Sequence, residues 1–232
     1  MKTNNKVVVT KNGPYMVLGN LPLTKEISTI GKERQPEKWV KGKKYPKQDS
    51  YSLCRCGQSQ NKPFCDGAHT KTKFKGEETA SREKYLKQAG KMSGPSLDLL
   101  DASNYCSGSR FCHLAGGTWN NVKNSNIPKN KKMAIQTACN CSSGRLVVWN
   151  KKTGKAIEPI LDPAVSLVED PQAQVSGPIW LKGGIALESA DGKKYETRNR
   201  MTLCRCGQSQ NKPFCDGSHI DCQFNDGDES LK

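Results

Sequence analysis

Apolar residues in this chain come in short runs broken by glycine, proline and lysine, and none approaches the roughly 18 consecutive apolar positions of a membrane span. Two of these runs are built alike. GPYMVLGNLPL (Gly13 to Leu23) and GPIWLKGGIAL (Gly177 to Leu187) each open on Gly-Pro, carry a strand-like stretch and meet a glycine turn before another apolar step. They read as a diverged repeat of β-strands. Gly13 precedes Cys54 by 41 positions and Gly177 precedes Cys204 by 27. The difference is an insertion, placed most simply in the polar stretch KERQPEKWVKGKKYPK. Between the repeats, SREKYLKQAG (Ser81 to Gly90) predicts a short helix stopped by Gly90, and Met133 to Ala138 predicts another. RLVVW (Arg145 to Trp149) predicts a strand followed by the turn NKKTGK. The segment from Glu158 to Pro178 reads as an extended connector, and the acidic tail after Phe224 as frayed.

With 232 residues, of which 34% are hydrophobic and 6% aromatic, the chain is lean for one large core. Small modules with an added staple are expected: residues 1–80, 81–157 and 158–232. The opening MKTNNKVVVT has only a three-valine run, short of a secretory signal, so a cytoplasmic protein with no membrane segment is expected. In such a compartment the eleven cysteines point to metals or redox chemistry rather than disulfides. The formal charge of +15 raises nucleic acid as a partner. However, the lysines are scattered apart from runs at Lys41 to Lys47 and Lys129 to Lys132, and no basic repeat is interleaved with aromatics. A solvated surface is the better reading; it would suit acidic redox partners and equally permits no partner preference.

The cysteines are not scattered. LCRCGQSQNKPFCDG at Leu53 to Gly67 returns letter for letter at Leu203 to Gly217. Each copy reads C-x-C-x8-C-x3-H: Cys54, Cys56, Cys65 and His69, then Cys204, Cys206, Cys215 and His219. Two of the three histidines in the protein fill the same slot of a duplicated pattern. Asp66 and Asp216 can cap a helix start, which turns the third cysteine and the histidine toward one side. Gly57, Gly67, Gly207 and Gly217 allow close backbone approach. Three thiolates and an imidazole suit a structural zinc ion. They equally suit a 2Fe-2S cluster, with Cys54 and Cys56 on one iron and Cys65 and His69 on the other. The residues alone leave both open.

CRCGQSQNKPFCDGAH and CRCGQSQNKPFCDGSH resemble the signature of the CDGSH iron–sulfur family, the mitoNEET-like proteins, with Ala68 in place of the motif serine in the first copy. The resemblance implies two 2Fe-2S clusters, each held by three cysteines and one histidine, with the histidine on the solvent-near iron. It also implies an α+β fold in which a small β-rich cap joins two cluster-binding loops. Because both motifs lie in one chain, the expected form is an intramolecular pseudo-dimer within a monomer.

A middle block, YCSGSRFCHLAGGTW and ACNCSSGRL, adds Cys106, Cys112, His113, Cys139 and Cys141. Its spacing resembles a divergent mono-cluster ferredoxin module in which the second ligand position falls on Ser109. Cys106, Cys112 and Cys141 then hold a 3Fe-4S cluster, or a 4Fe-4S cluster if Cys139 or His113 supplies the fourth ligand. Cys222 fits neither pattern. No phosphate loop, nucleotide fingerprint or Ser/His/Asp set is present, so no enzyme is expected. The functional expectation is one-electron transfer with redox partner proteins. Its alternative is delivery of clusters to apo iron–sulfur acceptors.

Overall fold

Alternation makes the first hairpin. KVVV (β1, Lys6–Val9) and YMVL (β2, Tyr15–Leu18) bury every second side chain and pair antiparallel, with Val9 opposite Tyr15. The remaining strands, in chain order, are β3 (Leu23–Ile30), β4 (Pro36–Lys44), β5 (Ser50–Leu53), β6 (Gly90–Ser93), β7 (Leu97–Asp101), β8 (Leu146–Asn150), β9 (Lys155–Ile157), β10 (Ala164–Asp170), β11 (Val175–Lys182), β12 (Ala186–Glu188) and β13 (Arg200–Leu203). Five short helices interrupt them: α1 (Ala68–Lys71), α2 (Tyr85–Gln88), α3 (Thr118–Lys123), α4 (Pro128–Cys139) and α5 (Ser218–Asp221). The result is a mixed α+β protein of small sheets and few helices. These elements come from a computed structural model that describes residues 5–231. Residues 1–4 and 232, the outer ends of the first and last predicted modules, lie outside the described residues. Among the described residues no helix is long and apolar enough to cross a membrane.

Two sheets are shared between the ends of the chain. One has the order β12-β1-β2-β5 and the other β13-β11-β10-β3-β4. In each, a hairpin is joined by the strand that leads into a CDGSH loop, in the same register: Tyr15 lies opposite Leu53, and Ile179 opposite Leu203. In each, the next strand of the other half closes the edge. β3 leaves the first half to run parallel to β10, with Leu23 opposite Val165, and β12 returns to run parallel to β1, with Ala186 opposite Lys6. The paired Gly-Pro runs supply β2 with β3 and β11 with β12, as their shared pattern predicts. The extra residues of the first copy form β4, an added strand on the edge of β3 that has no counterpart in the second copy. One apolar core spans both sheets, from Val7, Val17 and Leu53 to Leu167, Leu181 and Leu203. Each such fully buried aliphatic side chain contributes about 1.5–3 kcal/mol.

The third sheet, β6-β7-β8-β9, lies in the middle of the chain and is covered by α3 and α4. α4 begins with proline in its first turn, where no N–H is needed. It lays Ala134 and Ala138 on Leu97, Leu99, Leu146 and Val148. The helix expected at Met133 to Ala138 is thus the second half of a 12-residue helix, and the strand expected at Arg145 to Trp149 lies within a residue of β8, whereas of the helix expected from Ser81 only the single turn α2 forms, just before Gly90 opens β6. Two expectations fail. The connector from Glu158 to Pro178 contains β10 and the start of β11, among the most buried strands of the molecule; its prolines and acidic ends disguise a hairpin. The tail after Phe224 is not frayed, because Asp226 and Asp228 pair with the buried Lys25 and Leu231 is buried.

Candidate metal centres

Both CDGSH loops leave their strands in one geometry. Cys54 N–H donates to Pro63 O and Cys204 N–H to Pro213 O, each at 2.9 Å. Cys65 N–H and Cys215 N–H reach back to Ser52 O and Thr202 O, also at 2.9 Å. The Asp66 carboxylate accepts the Gln60 and Ala68 N–H groups at 2.8 and 3.0 Å, and Asp216 does the same for Gln210 and Ser218. These aspartates clamp the loop to a one-turn helix that starts from Gly67 or Gly217 in the left-handed region. Within each loop the spacing between ligands is therefore set by backbone hydrogen bonds.

The four predicted ligands of each loop fall into two pairs. Cys54 Sγ and Cys56 Sγ are 3.7 Å apart, and Cys65 Sγ is 3.4 Å from His69 Nδ1. Cys204 with Cys206 and Cys215 with His219 give the same two distances. Two ligands of one tetrahedral metal, with bonds of about 2.3 Å to sulfur and 2.0 Å to nitrogen, stand about 3.8 Å apart for S···S and 3.5 Å for S···N. Each pair therefore fits one metal. A single zinc ion would need all four atoms that close together. Among the described residues, however, the one group of three or more such donor atoms within 4.8 Å of one another is Glu169, Asp226 and Asp228, where Lys25 already sits. Two pairs held apart fit a binuclear centre and not a lone zinc.

The surroundings agree with thiolates held by a cation. N–H groups of Gln58, Gly67 and Gly217 point at Cys56, Cys65 and Cys215 sulfurs, each at 3.5 Å. Burial pushes the Cys56 thiol up to about 11 and Cys215 well above its ordinary range. Without a bound cation these sulfurs stay protonated, and metal coordination removes that proton. Burial, followed by the Arg205 charge, lowers His219 to about 4, which leaves its imidazole neutral and able to ligate. The two loops meet back to back. A Cβ at Gly57 would stand 2.5 Å from Cys206 O, and one at Gly207 would stand 2.5 Å from Cys56 O. Both glycines have positive φ, 77° and 83°, so the contact tolerates no side chain. The loops differ in cover: Cys215 and His219 are buried, whereas Cys65 and His69 are partly exposed.

In the middle block, Cys106 follows a 3-10 turn, Cys112 lies in the next turn and Cys141 follows α4. The three are electrostatic neighbours. Burial, then charge on Cys141 and Cys106, raises Cys112 to about 12. Beside them, the hydroxyls of Ser107 and Ser142 are buried without a hydrogen-bond partner, as acceptor-seeking donors near inorganic sulfide would be. The two candidates for a fourth ligand do not join them. Cys139 turns its thiol to Ile157 O on β9, and His113 is exposed. Cys222, an exposed thiol, lies outside all three groups.

Several supporting residues carry no signal in the ligand spacing. Arg200 donates to the carbonyls of Ala138, Cys139 and Cys141 and pairs with Glu158, tying the middle block to the strand that precedes Cys204. Tyr105 and Phe214, the residues before Cys106 and Cys215, stack edge to face at 5.0 Å, with the Arg198 guanidinium 4.1 Å from the Tyr105 ring centre. Tyr15 reaches from the first half to donate to Cys204 O and Pro213 O. Arg55 and Arg205 do have a signal: each is the middle residue of a C-R-C that recurs unchanged.

The sequence matches the family described as iron-binding zinc finger, CDGSH type, over residues 12–70 and again over 176–220. No curated protein and no solved structure matches the chain. Both matched segments begin at the Gly-Pro hairpins and end at the histidine turns, so they contain the strands that carry each loop as well as the loop itself. The chain carries the CDGSH iron–sulfur domain, with two motifs in one polypeptide.

Proposed function

We propose that this chain is a one-electron carrier with two 2Fe-2S centres and a third centre in its middle block. The observation that carries the reading is the split of each ligand set into two metal-sized pairs. Cys54 with Cys56, and Cys65 with His69, hold the N-terminal centre; Cys204 with Cys206, and Cys215 with His219, hold the C-terminal one. Such centres exchange single electrons at potentials raised by the histidine ligand. The protein supplies rigid loops, N–H donors to the sulfurs and a core that excludes water. Exchange of β3 and β12 between the two halves, together with the Gly57 and Gly207 contact, supports an intramolecular pseudo-dimer. Cys106, Cys112 and Cys141 with no fourth protein ligand favour 3Fe-4S over 4Fe-4S in the ferredoxin-like middle block.

Iron and acid-labile sulfide analysis of anaerobically purified protein tests this directly. The expected content is roughly four irons from the two loops plus three from the middle block, with spin signals of both kinds. Colourless protein with one zinc per motif would overturn it. A second reading, transfer of a cluster to an apo-acceptor, is favoured at the N-terminal loop alone, because Cys65 and His69 are partly exposed. It predicts that iron leaves that loop for an apo-ferredoxin while the C-terminal loop keeps its own.

A further inference from the structure

We infer that the N-terminal loop is the docking face for an acidic electron-transfer protein, and that the C-terminal loop is an internal station between it and the middle block. The inference rests on the electron-carrier reading and adds the place and chemistry of the partner.

The two histidine turns can be compared position by position. Phe74 N–H donates to His69 O and Phe224 N–H to His219 O, both at 3.0 Å, and each ring lies under the arginine of its own C-R-C, at 5.3 and 5.5 Å. The backbone is therefore equivalent, and the exposed side chains on it are not. Lys71, Lys73 and Lys75 in the first turn stand where Asp221, Gln223 and Asn225 stand in the second. Lys11 adds a fourth exposed ammonium beside the same face: its neighbour Gly13 lies so near the His69 ring that a Cβ there would be 3.6 Å from Nε2. Among the described residues none of these four lysines is in an ion pair. Of the carboxylates nearby, Asp191 is offset by Arg82 and Lys193, and Asp66, Glu77 and Glu78 set three negative charges against the four lysines. The collar therefore keeps a positive field over the more open centre.

The other turn is covered and lacks such a collar. A Cβ at Gly108 would come within 2.6 Å of Ile220, and one at Gly217 within 3.9 Å of Cys106 O. The Cys106 loop thus lies on the C-terminal turn. A visiting protein can reach the first centre and meets the middle block at the second. Four lysines around a partly exposed centre steer and hold an acidic face, and salt weakens that attraction. Single-stranded nucleic acid, which would also value the charge, needs exposed aromatic rings for base stacking. Phe74, the aromatic residue of this turn, is half-buried against Arg55.

The test is calorimetric binding of an acidic plant-type ferredoxin to the iron-loaded protein at low and high salt. The triple variant Lys71→Glu, Lys73→Glu, Lys75→Glu should bind at least tenfold more weakly at low salt and lose most of the salt dependence. The triple arginine variant should keep both. Reversal of the remote run Lys129, Lys131 and Lys132 should change affinity less than twofold. Unchanged affinity in the glutamate variant, an equal loss from the remote reversal, or equally tight binding of a single-stranded oligonucleotide to the same lysines would overturn the inference. Metal content of the same samples separates the two readings. Zinc-loaded protein that still binds through the collar removes the electron-carrier reading and keeps the surface. Iron-loaded protein that binds no ferredoxin does the reverse.

Discussion

Arg55 and Arg205 occupy the same place in two identical loops and meet different company. Both are buried, and both donate through Nε to the carbonyl of a Gly-Pro glycine, Gly13 or Gly177, and through Nη2 to Thr10 O or Val168 O. The third partner separates them. Arg55 takes a carbonyl, Gly76 O, and leaves Nη1 with no partner. Arg205 instead takes the carboxylates of Asp226 and Glu169, which also hold the buried Lys25. Gly76 and Asp226 are 150 positions apart, the offset of the loops themselves. One repeat thus buries a cation held by carbonyl dipoles and the rings of Tyr15 and Phe74, and the other buries a network in which carboxylates outnumber cations. Identical loops do not make equivalent centres: the field at each is written by residues outside the repeated letters.

Breaking the network should give the largest effect. Asp226→Asn removes one of the two buried carboxylates facing Arg205, and loss of a partner in a buried pair costs about 3–5 kcal/mol. Chemical denaturation of the iron-loaded protein would show it. The same variant tests a pH effect. Burial alone would raise the Asp226 carboxyl, but the Arg205 and Lys25 charges outweigh it and hold it at about 2. A carboxyl held below its unfolded value, about 3.9, contributes stability that is full above about pH 4 and is lost as pH falls toward 2. The asparagine substitution would flatten that window, and an unchanged acid profile would show that the network does not set it. The reciprocal change, Gly76→Asp, asks whether charge or room decides the difference. A Cβ at Gly76 would stand 2.0 Å from Arg55 Nη2. The added carboxylate should therefore destabilise, by about 1–3 kcal/mol, despite its favourable sign.

How much of this was legible in the sequence follows the same division. The loops were legible down to the pairing of ligands, because backbone hydrogen bonds inside sixteen contiguous residues fix those distances and leave spacing as the record. The paired hairpins were legible because their Gly-Pro turns survive divergence, and so was the site of the insertion. The exchange of β3 and β12 left no trace: each is an ordinary strand, and its partner is chosen by the far end of the chain. β10 was read as connector because its apolar run, AVSLV, is short and ends in Glu169 and Asp170, whose partners Lys25, Arg205 and Arg110 lie elsewhere. Zinc and iron stayed level on residue type, since that choice turns on distances between pairs rather than on which residues are present.

A sharper comparison uses the one contact in which the halves should behave alike. Gly57 and Gly207 each face the other loop's second cysteine carbonyl at the same distance and with nearly the same φ. Gly57→Ala and Gly207→Ala should each cost about 2–4 kcal/mol, from left-handed strain plus the clash, and the two losses should agree. Unequal losses would mean that the loops do not meet across a local two-fold.

The smallest effect in energy bears most on function. Around the N-terminal loop the nearest buried charge is Arg55 with no carboxylate, and Cys65 and His69 are partly exposed. Around the C-terminal loop, Arg205 and Lys25 face Glu169, Asp226 and Asp228, one negative charge in excess, and the ligands are buried. Adding an electron adds negative charge, which an unbalanced cation and nearby water favour and a buried, negatively balanced site resists. The N-terminal centre should therefore hold the higher potential, with a difference of the order of 1 kcal/mol. Spin-resonance titration should show two separate steps for the loop centres, beside the distinct signal of the middle block. His69→Cys should lower the step at higher potential and His219→Cys the other, while Asp226→Asn should raise the lower step and bring the two together. If both centres titrate as one, the carboxylates around Arg205 serve stability alone, and the difference between the two loops does not carry over to their potentials.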